Sequence, residues 1–155
     1  MISFSCVEQL RLLMGGAGLP LELTQLTPGT MRGDLLPLRL GPVQLLRIRL
    51  DRATLARGPK DPSRQGVCLD LTSPGLVGPS RSHGVLLPAT AVCGLACEGE
   101  FHLSVPAGAE VAWISIDRAV FQQWCLDLGC PGLDQDSLKR NWLPLDAARL
   151  EDLRT

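Results

Sequence analysis

The chain contains no tyrosine, two lysines (Lys60 and Lys139) and two histidines (His83 and His102). No apolar run approaches the ~20 residues needed to cross a bilayer, so no membrane partner is expected. The formal net charge is −1 and the fifteen Lys and Arg residues are scattered, which excludes a generic polyanion binder, since those carry a concentrated basic surplus. The opening Met1-Ile-Ser-Phe-Ser-Cys-Val-Glu-Gln lacks a basic stretch followed by an apolar core. No export signal is therefore read, and the expected compartment is the cytoplasm, where the six cysteines would stand as thiols. Neither a Gly-x-Ser-x-Gly elbow nor a Gly-x4-Gly-Lys phosphate loop occurs. Gly15-Gly16-Ala17-Gly18 mimics a phosphate loop but follows a helical pattern rather than a strand, so it reads as a helix stop.

What the chain does have is length for one domain with a real core: 155 residues, 45% hydrophobic and 20% charged. Twelve prolines and sixteen glycines favour short strands and turns over a helical bundle. Cys6, Val7, Leu10, Leu13 and Met14 fall at helical spacing before the glycine stop. Beyond it the period becomes two. Leu21 and Leu23 alternate with Glu22 and Thr24, and Pro28-Gly29 turns. Leucines occupy 36, 38 and 40, Gly41-Pro42 turns, and in 43–50 Leu46, Ile48 and Leu50 share a face opposite Arg47 and Arg49. Residues 57–65 read as a polar loop. Val67, Leu69 and Leu71 alternate with Cys68, Asp70 and Thr72, with turns at Pro74-Gly75 and Gly78-Pro79. Residues 84–88 and 91–97 read as short strands. Phe101, Leu103 and Val105 alternate with His102 and Ser104, and Pro106-Ala-Gly108 leads into a strand over 111–116. Roughly eight or more short strands with close turns predict a closed barrel or sandwich. Helices return at Asp117, a good N-cap for a face of Val120, Phe121, Trp124, Cys125 and Leu128 ended by Gly129. A further short helix is expected over 134–142. Asp146 caps a new start, from which Leu150 and Leu153 begin another apolar stripe.

Several residues invite chemistry. Cys93 and Cys97, if on one strand, sit about 13 Å apart on one face, beyond the roughly 4.4–6.8 Å between α-carbons that a disulfide needs and too far to clasp one zinc. On a helix or a tight turn they could meet, so buried thiols and a metal or redox pair both stay open. Cys125 and Cys130 occupy the two positions whose side chains touch when a helix ends on a glycine, which gives packing or a reversible disulfide. His83 lies beside Arg81 and Ser82 in a turn, His102 alternates outward, and no His-x-His stands near either. The ligand-binding candidates are Arg47 and Arg49, which either meet an anion inside a barrel or form a solvated outer face, and Trp113, which either lines a pocket or fills the core. Leu138, Trp142, Leu150 and Leu153 either pack on the barrel wall or meet a second copy across a two-fold axis, and are the dimerisation candidates.

Three passages carry a family likeness. Thr24-Gln-Leu-Thr-Pro-Gly29 with the leucine-rich strands after it, Gly99-Glu-Phe-His-Leu-Ser-Val-Pro-Ala-Gly108, and Trp113-Ile-Ser-Ile-Asp117 before an amphipathic helix together resemble the N-terminal sensor domain of AraC-type transcription regulators. In wording the chain is similar to cyanobacterial members, which control pigment and light-colour acclimation genes, although no motif carries that. The resemblance implies a mainly β fold with flanking α-helices. It would comprise an N-terminal helix and stop at 1–18, a cupin-like barrel (a double-stranded β-helix or jelly roll) at 19–116, and C-terminal helices at 117–155 that support dimerisation. It also implies a homodimer, a small-molecule or protein effector, and DNA binding only through a C-terminal helix-turn-helix pair that these residues do not include. A catalytic cupin offers His-x-His and a second histidine after its Pro-x-Gly turn. Here Ala109-Glu-Val-Ala112 follow that turn, so no metal, no cofactor and no catalytic residue are expected. The readings set against the regulator are a cupin-fold metalloenzyme using Cys93, Cys97, His83 or His102, and a barrel used only for protein–protein contact.

Overall fold

A computed structural model describes residues 1–72, 77–130, 133–146 and 148. In chain order the elements are β1 (Ile2–Phe4), α1 (Val7–Gly16), β2 (Glu22–Gln25), β3 (Gly33–Leu40), β4 (Val43–Leu50), β5 (Thr54–Pro59) and β6 (Arg64–Asp70). There follow β7 (Arg81–Ser82), β8 (Val85–Leu86), β9 (Ala91–Cys93), β10 (Glu100–Val105), β11 (Glu110–Asp117), α2 (Arg118–Asp127), α3 (Gln135–Arg140) and β12 (Trp142–Pro144). The fold is mainly β, with two antiparallel sheets and a few helices. The larger sheet runs β1-β3-β4-β11-β6-β9-β12 and the smaller β2-β5-β10-β7-β8.

Alternation decides which side chains meet between the sheets. Leu35, Ile48 and Leu50, Cys68 and Val111 of the larger sheet pack with Phe101, Leu103 and Val105 of the smaller, and Leu10 and Met14 of α1 close one side. Each large side chain so buried contributes about 1.5–3 kcal/mol. The expected stripe of α1 faces this core, and the helix stops where Gly18 turns left-handed (φ 82°). A second apolar cluster lies on the opposite face of the larger sheet. There Leu69, Val92, Leu95 and Ala112 are covered by Leu133, Leu138, Leu143 and Leu145. Strands β6 and β11 are thus buried on both faces, which blurs a simple in–out alternation.

Both later helices begin at the expected aspartates, and α2 ends at the expected glycine. Asp117 Oδ1 accepts from the N–H groups of Ala119 (2.9 Å) and Val120 (3.2 Å). At the other end Gly129 has φ 65°, and Cys130 N–H returns to Cys125 O (2.8 Å) while Gly129 N–H reaches Leu126 O (3.1 Å). That double closure satisfies two orphan carbonyls and explains the spacing of the cysteines. Asp134 caps α3 through Ser137 N–H (2.7 Å).

Some boundaries differ from the sequence reading. Residues 57–65 are not one loop. Thr54–Pro59 is paired on both sides, by β2 and β10, and β6 already starts at Arg64, so only 60–63 connect them; pairing outweighs the turn propensity of Gly58-Pro59. The strand expected over 91–97 ends at Cys93, because Gly94 is left-handed (φ 83°). The strand expected over 84–88 shrinks to Val85–Leu86, since His83 (φ 48°) and Gly84 (φ 79°) form a two-residue hairpin turn. The helix expected over 134–142 ends at Arg140. Asn141 is left-handed (φ 60°), and Trp142 opens a strand paired with β9. The Pro74-Gly75 turn and the stripe of Leu150 and Leu153 lie outside the described residues.

Candidate functional site

The space between the sheets is largely filled beside α1 but hollow at the end near Leu87. The hollow bounded by Leu10, Leu21, Ile48, Leu103 and Val111 measures 40 Å3 and has no polar lining, room for little more than water-sized guests and no partner for them. A 200 Å3 hollow lies beside Cys68, Cys93, Leu87 and Leu103. A larger 380 Å3 cleft opens at the corner where β5 crosses to β6, lined by Lys60, Asp61, Arg64, Gly66, Gly94, Cys97, Phe101, Trp113 and Ser115 among others.

Trp113 forms one wall of this cleft and also packs on the inter-sheet core. The sequence makes room for it with glycine. A Cβ on Gly66 would stand 2.3 Å from the indole Cζ2, and one on Gly94 would stand 3.2 Å from Cζ3. Phe101 meets the indole edge-to-face with ring centroids 5.1 Å apart, a favoured arrangement for the two quadrupoles.

Two cations face the same space. Arg64 donates from Nε to Ser115 Oγ (3.1 Å) and from Nη2 to Ser115 O (3.1 Å), which leaves three of its five N–H donors unassigned. The half-buried ammonium of Lys60 donates to Ala96 O (2.7 Å), Asn141 Oδ1 (3.2 Å) and, at 3.4 Å, Gly94 O. Neither cation has a carboxylate within ion-pair distance among the described residues. Burial holds the Lys60 pKa below its ordinary value, partly offset by the nearby Cys93 and Cys97. Asp61 sits exposed at the rim, where its Oδ1 accepts from Ser63 N–H (2.9 Å) and Ser63 Oγ–H (2.6 Å); these bonds, with Arg64 nearby, keep its pKa low.

Asn141 joins the cleft to the C-terminal segment. Its Oδ1 accepts from Lys60 and from Ala96 N–H (2.8 Å), and its carbonyl accepts from Gly94 N–H (2.9 Å). Any guest that draws on the Lys60 ammonium therefore acts on the residue that ends α3 and starts β12.

The other residues singled out by sequence fall elsewhere. Arg47 and Arg49 lie on the exposed face of the larger sheet, not between the sheets. Both bond Glu110 of β11, Arg47 through Nε to Oε1 and Arg49 through Nη2 to Oε2 at 2.8 Å. Burial alone would raise the Glu110 pKa, but the hydrogen bonds from Arg49 and Arg47 outweigh it and hold it low. Leu138 is half-buried against the outer apolar cluster, and Trp142 packs on the inter-sheet core, with the Arg140 guanidinium 5.7 Å from its ring centroid. Cys93 is buried directly opposite Cys68 in the β6–β9 pairing, whereas Cys97 borders the cleft and its Sγ donates to Gln65 Oε1 (3.0 Å). His83 and His102, distant in sequence, are brought to a ring separation of 5.5 Å on the smaller sheet, where the buried Nδ1 of His102 has no hydrogen-bond partner among the described residues. Among the described residues no three His, Cys, Asp or Glu side chains gather as a metal-holding group.

Sequence reasoning missed Lys60, Arg64 and Asn141. The available signal was slight: one of only two lysines, set between Pro59 and Asp61-Pro62, followed four residues on by an arginine opening a strand. No protein-family model, curated protein or solved structure matches the chain.

Proposed function

We propose that the chain is the sensing and pairing module of an AraC-type transcription regulator, built on a cupin-like jelly roll, with a small molecule as its signal. The observation that carries this reading is the cleft tied through Lys60 and Asn141 to the C-terminal segment. A guest that draws Lys60 away from Asn141 changes the bonding between α3 and β12, and so shifts the population of that segment's arrangements. The strand orders β4-β11-β6-β9 and β5-β10-β7-β8 support the jelly-roll reading. Early and late strands alternate in each sheet, as they do when a long hairpin is rolled into two facing sheets. The corner cleft, with its larger volume, two cations and indole wall, is preferred as the ligand position over the 200 Å3 hollow between the sheets.

Pairing is supported by unspent apolar surface. Trp124, Leu126 and Leu128 are 44%, 74% and 76% exposed, and Leu38 and Leu40 of β3 are also exposed. These offer a contact for a second copy more directly than Leu138 and Trp142, which are engaged within the chain. Light scattering tests the reading: a particle of twice 16.7 kDa is expected, converted toward monomer by Leu126→Glu with Leu128→Glu. A monomer up to the solubility limit would refute pairing. DNA recognition belongs, on this proposal, to a helix-turn-helix pair outside these residues.

A further inference from the structure

Resting on the reading of the corner cleft as the sensing site, we propose that its guest is a small planar organic monoanion of the aromatic carboxylate class, its ring against Trp113 and Phe101 and its carboxylate on Arg64 beside Lys60. Charge balance argues for one negative charge. The lining carries two cations, Lys60 and Arg64, against the single rim carboxylate of Asp61, which already accepts from Ser63. An anion restores neutrality beside the half-buried Lys60 ammonium.

Donor geometry argues for a carboxylate. Arg64 is anchored on Ser115 through one edge, and its remaining N–H groups present the fork that matches two carboxylate oxygens. Lys60 already directs its protons to Ala96, Asn141 and Gly94 oxygens, so it supplies field first and a direct bond only by leaving Asn141. The walls argue against phosphate or sugar. Leu19, Pro20, Phe101 and Trp113 present carbon and aromatic faces, which suit a flat ring and leave hydroxyls without partners. The Cys97 thiol and Gly94 border the space where the ring would lie, and the absence of a side chain at 94 keeps the indole face open.

The test is calorimetric titration of the intact chain with 1-naphthoate, 1-naphthamide, octanoate and inorganic phosphate. Naphthoate is expected to bind, and naphthamide, which keeps the ring but not the charge, to bind roughly 10- to 100-fold more weakly. Arg64→Gln should weaken naphthoate by a similar factor and leave naphthamide unchanged. Arg64→Lys, which keeps the charge but loses the fork, guards against misfolding of the first variant and should fall between. Equal binding of naphthoate and naphthamide overturns the carboxylate assignment while leaving the cleft as sensor. Octanoate matching naphthoate overturns the planar requirement, and phosphate competing with naphthoate at similar concentration overturns the apolar one. Failure of every organic probe to bind overturns this inference and the sensing-cleft reading together.

Discussion

Replacing Gly66 by alanine tests how the cleft wall is built. Gly66 lies within β6, opposite Ser115 of β11, with Trp113 two residues before it on that strand. Its φ is not in the left-handed region, so the backbone alone favours alanine by about 0.5–1 kcal/mol. Sterics oppose this. The new methyl would stand 2.3 and 2.4 Å from indole Cζ2 and Cη2, well inside the roughly 3.5–4.0 Å of a comfortable carbon contact. Trp113 is held by Phe101 and the inter-sheet core, so it moves only by disturbing both. Overpacking of this kind costs about 1–3 kcal/mol, which for a chain of this size lowers Tm by about 2–10 °C. Thermal and urea unfolding of wild type, Gly66→Ala, Trp113→Leu and the double variant give the cycle. The alanine should be costly beside tryptophan and neutral or stabilising beside leucine, a coupling of about 1–3 kcal/mol. An equal cost in both backgrounds would refute the claim that Gly66 exists to seat the indole.

Asn141→Ala combines a left-handed alanine with loss of the acceptor for Lys60 and Ala96, and should cost about 2–4 kcal/mol. Asn141→Gly, which keeps only the backbone freedom, should recover the first part in urea unfolding. Glu110→Gln should lower stability by about 0.5–1 kcal/mol at neutral pH. Because the Glu110 pKa is depressed from 4.5 in the fold, that stabilisation is present above the unfolded-state value and lost as pH falls through the folded one, so the gap between variant and wild type should close in acid. A disulfide reagent should modify the exposed Cys130 quickly and spare buried Cys68 and Cys93 until unfolding. The hydrogen bond with Cys93, then burial, pushes the Cys68 pKa well up and suppresses its thiolate; mass mapping of labelled peptides checks the order.

The strands with clean alternation were legible in the residues, since Phe101, Leu103 and Val105 of β10 and Leu46, Ile48 and Leu50 of β4 leave one face for the core. The caps of α2 were legible too, because Asp117 and Gly129 act within one turn of chain. Strand β5 was not, as Leu55-Ala-Arg-Gly58 becomes a strand only through partners about thirty and fifty residues away. The shared face of Arg47 and Arg49 could be read locally, but Glu110, which claims both, enters from a strand sixty residues on. The cleft was least legible of all. Lys60 with Arg64, Trp113 and Asn141 come from three separate stretches, which meet only when the sheets fold together.

On the proposed function, a ligand enters the corner cleft rather than the hollow between the sheets, and its presence reaches the C-terminal segment. Nitrogen-15 chemical-shift mapping with 1-naphthoate tests it most directly. Shifts are expected only at Lys60, Arg64, Gly94, Ala96, the Trp113 indole N–H and Asn141 through Leu143. Shifts centred instead on Leu10, Ile48 and Leu103, or at the cleft with none at Asn141, would contradict it.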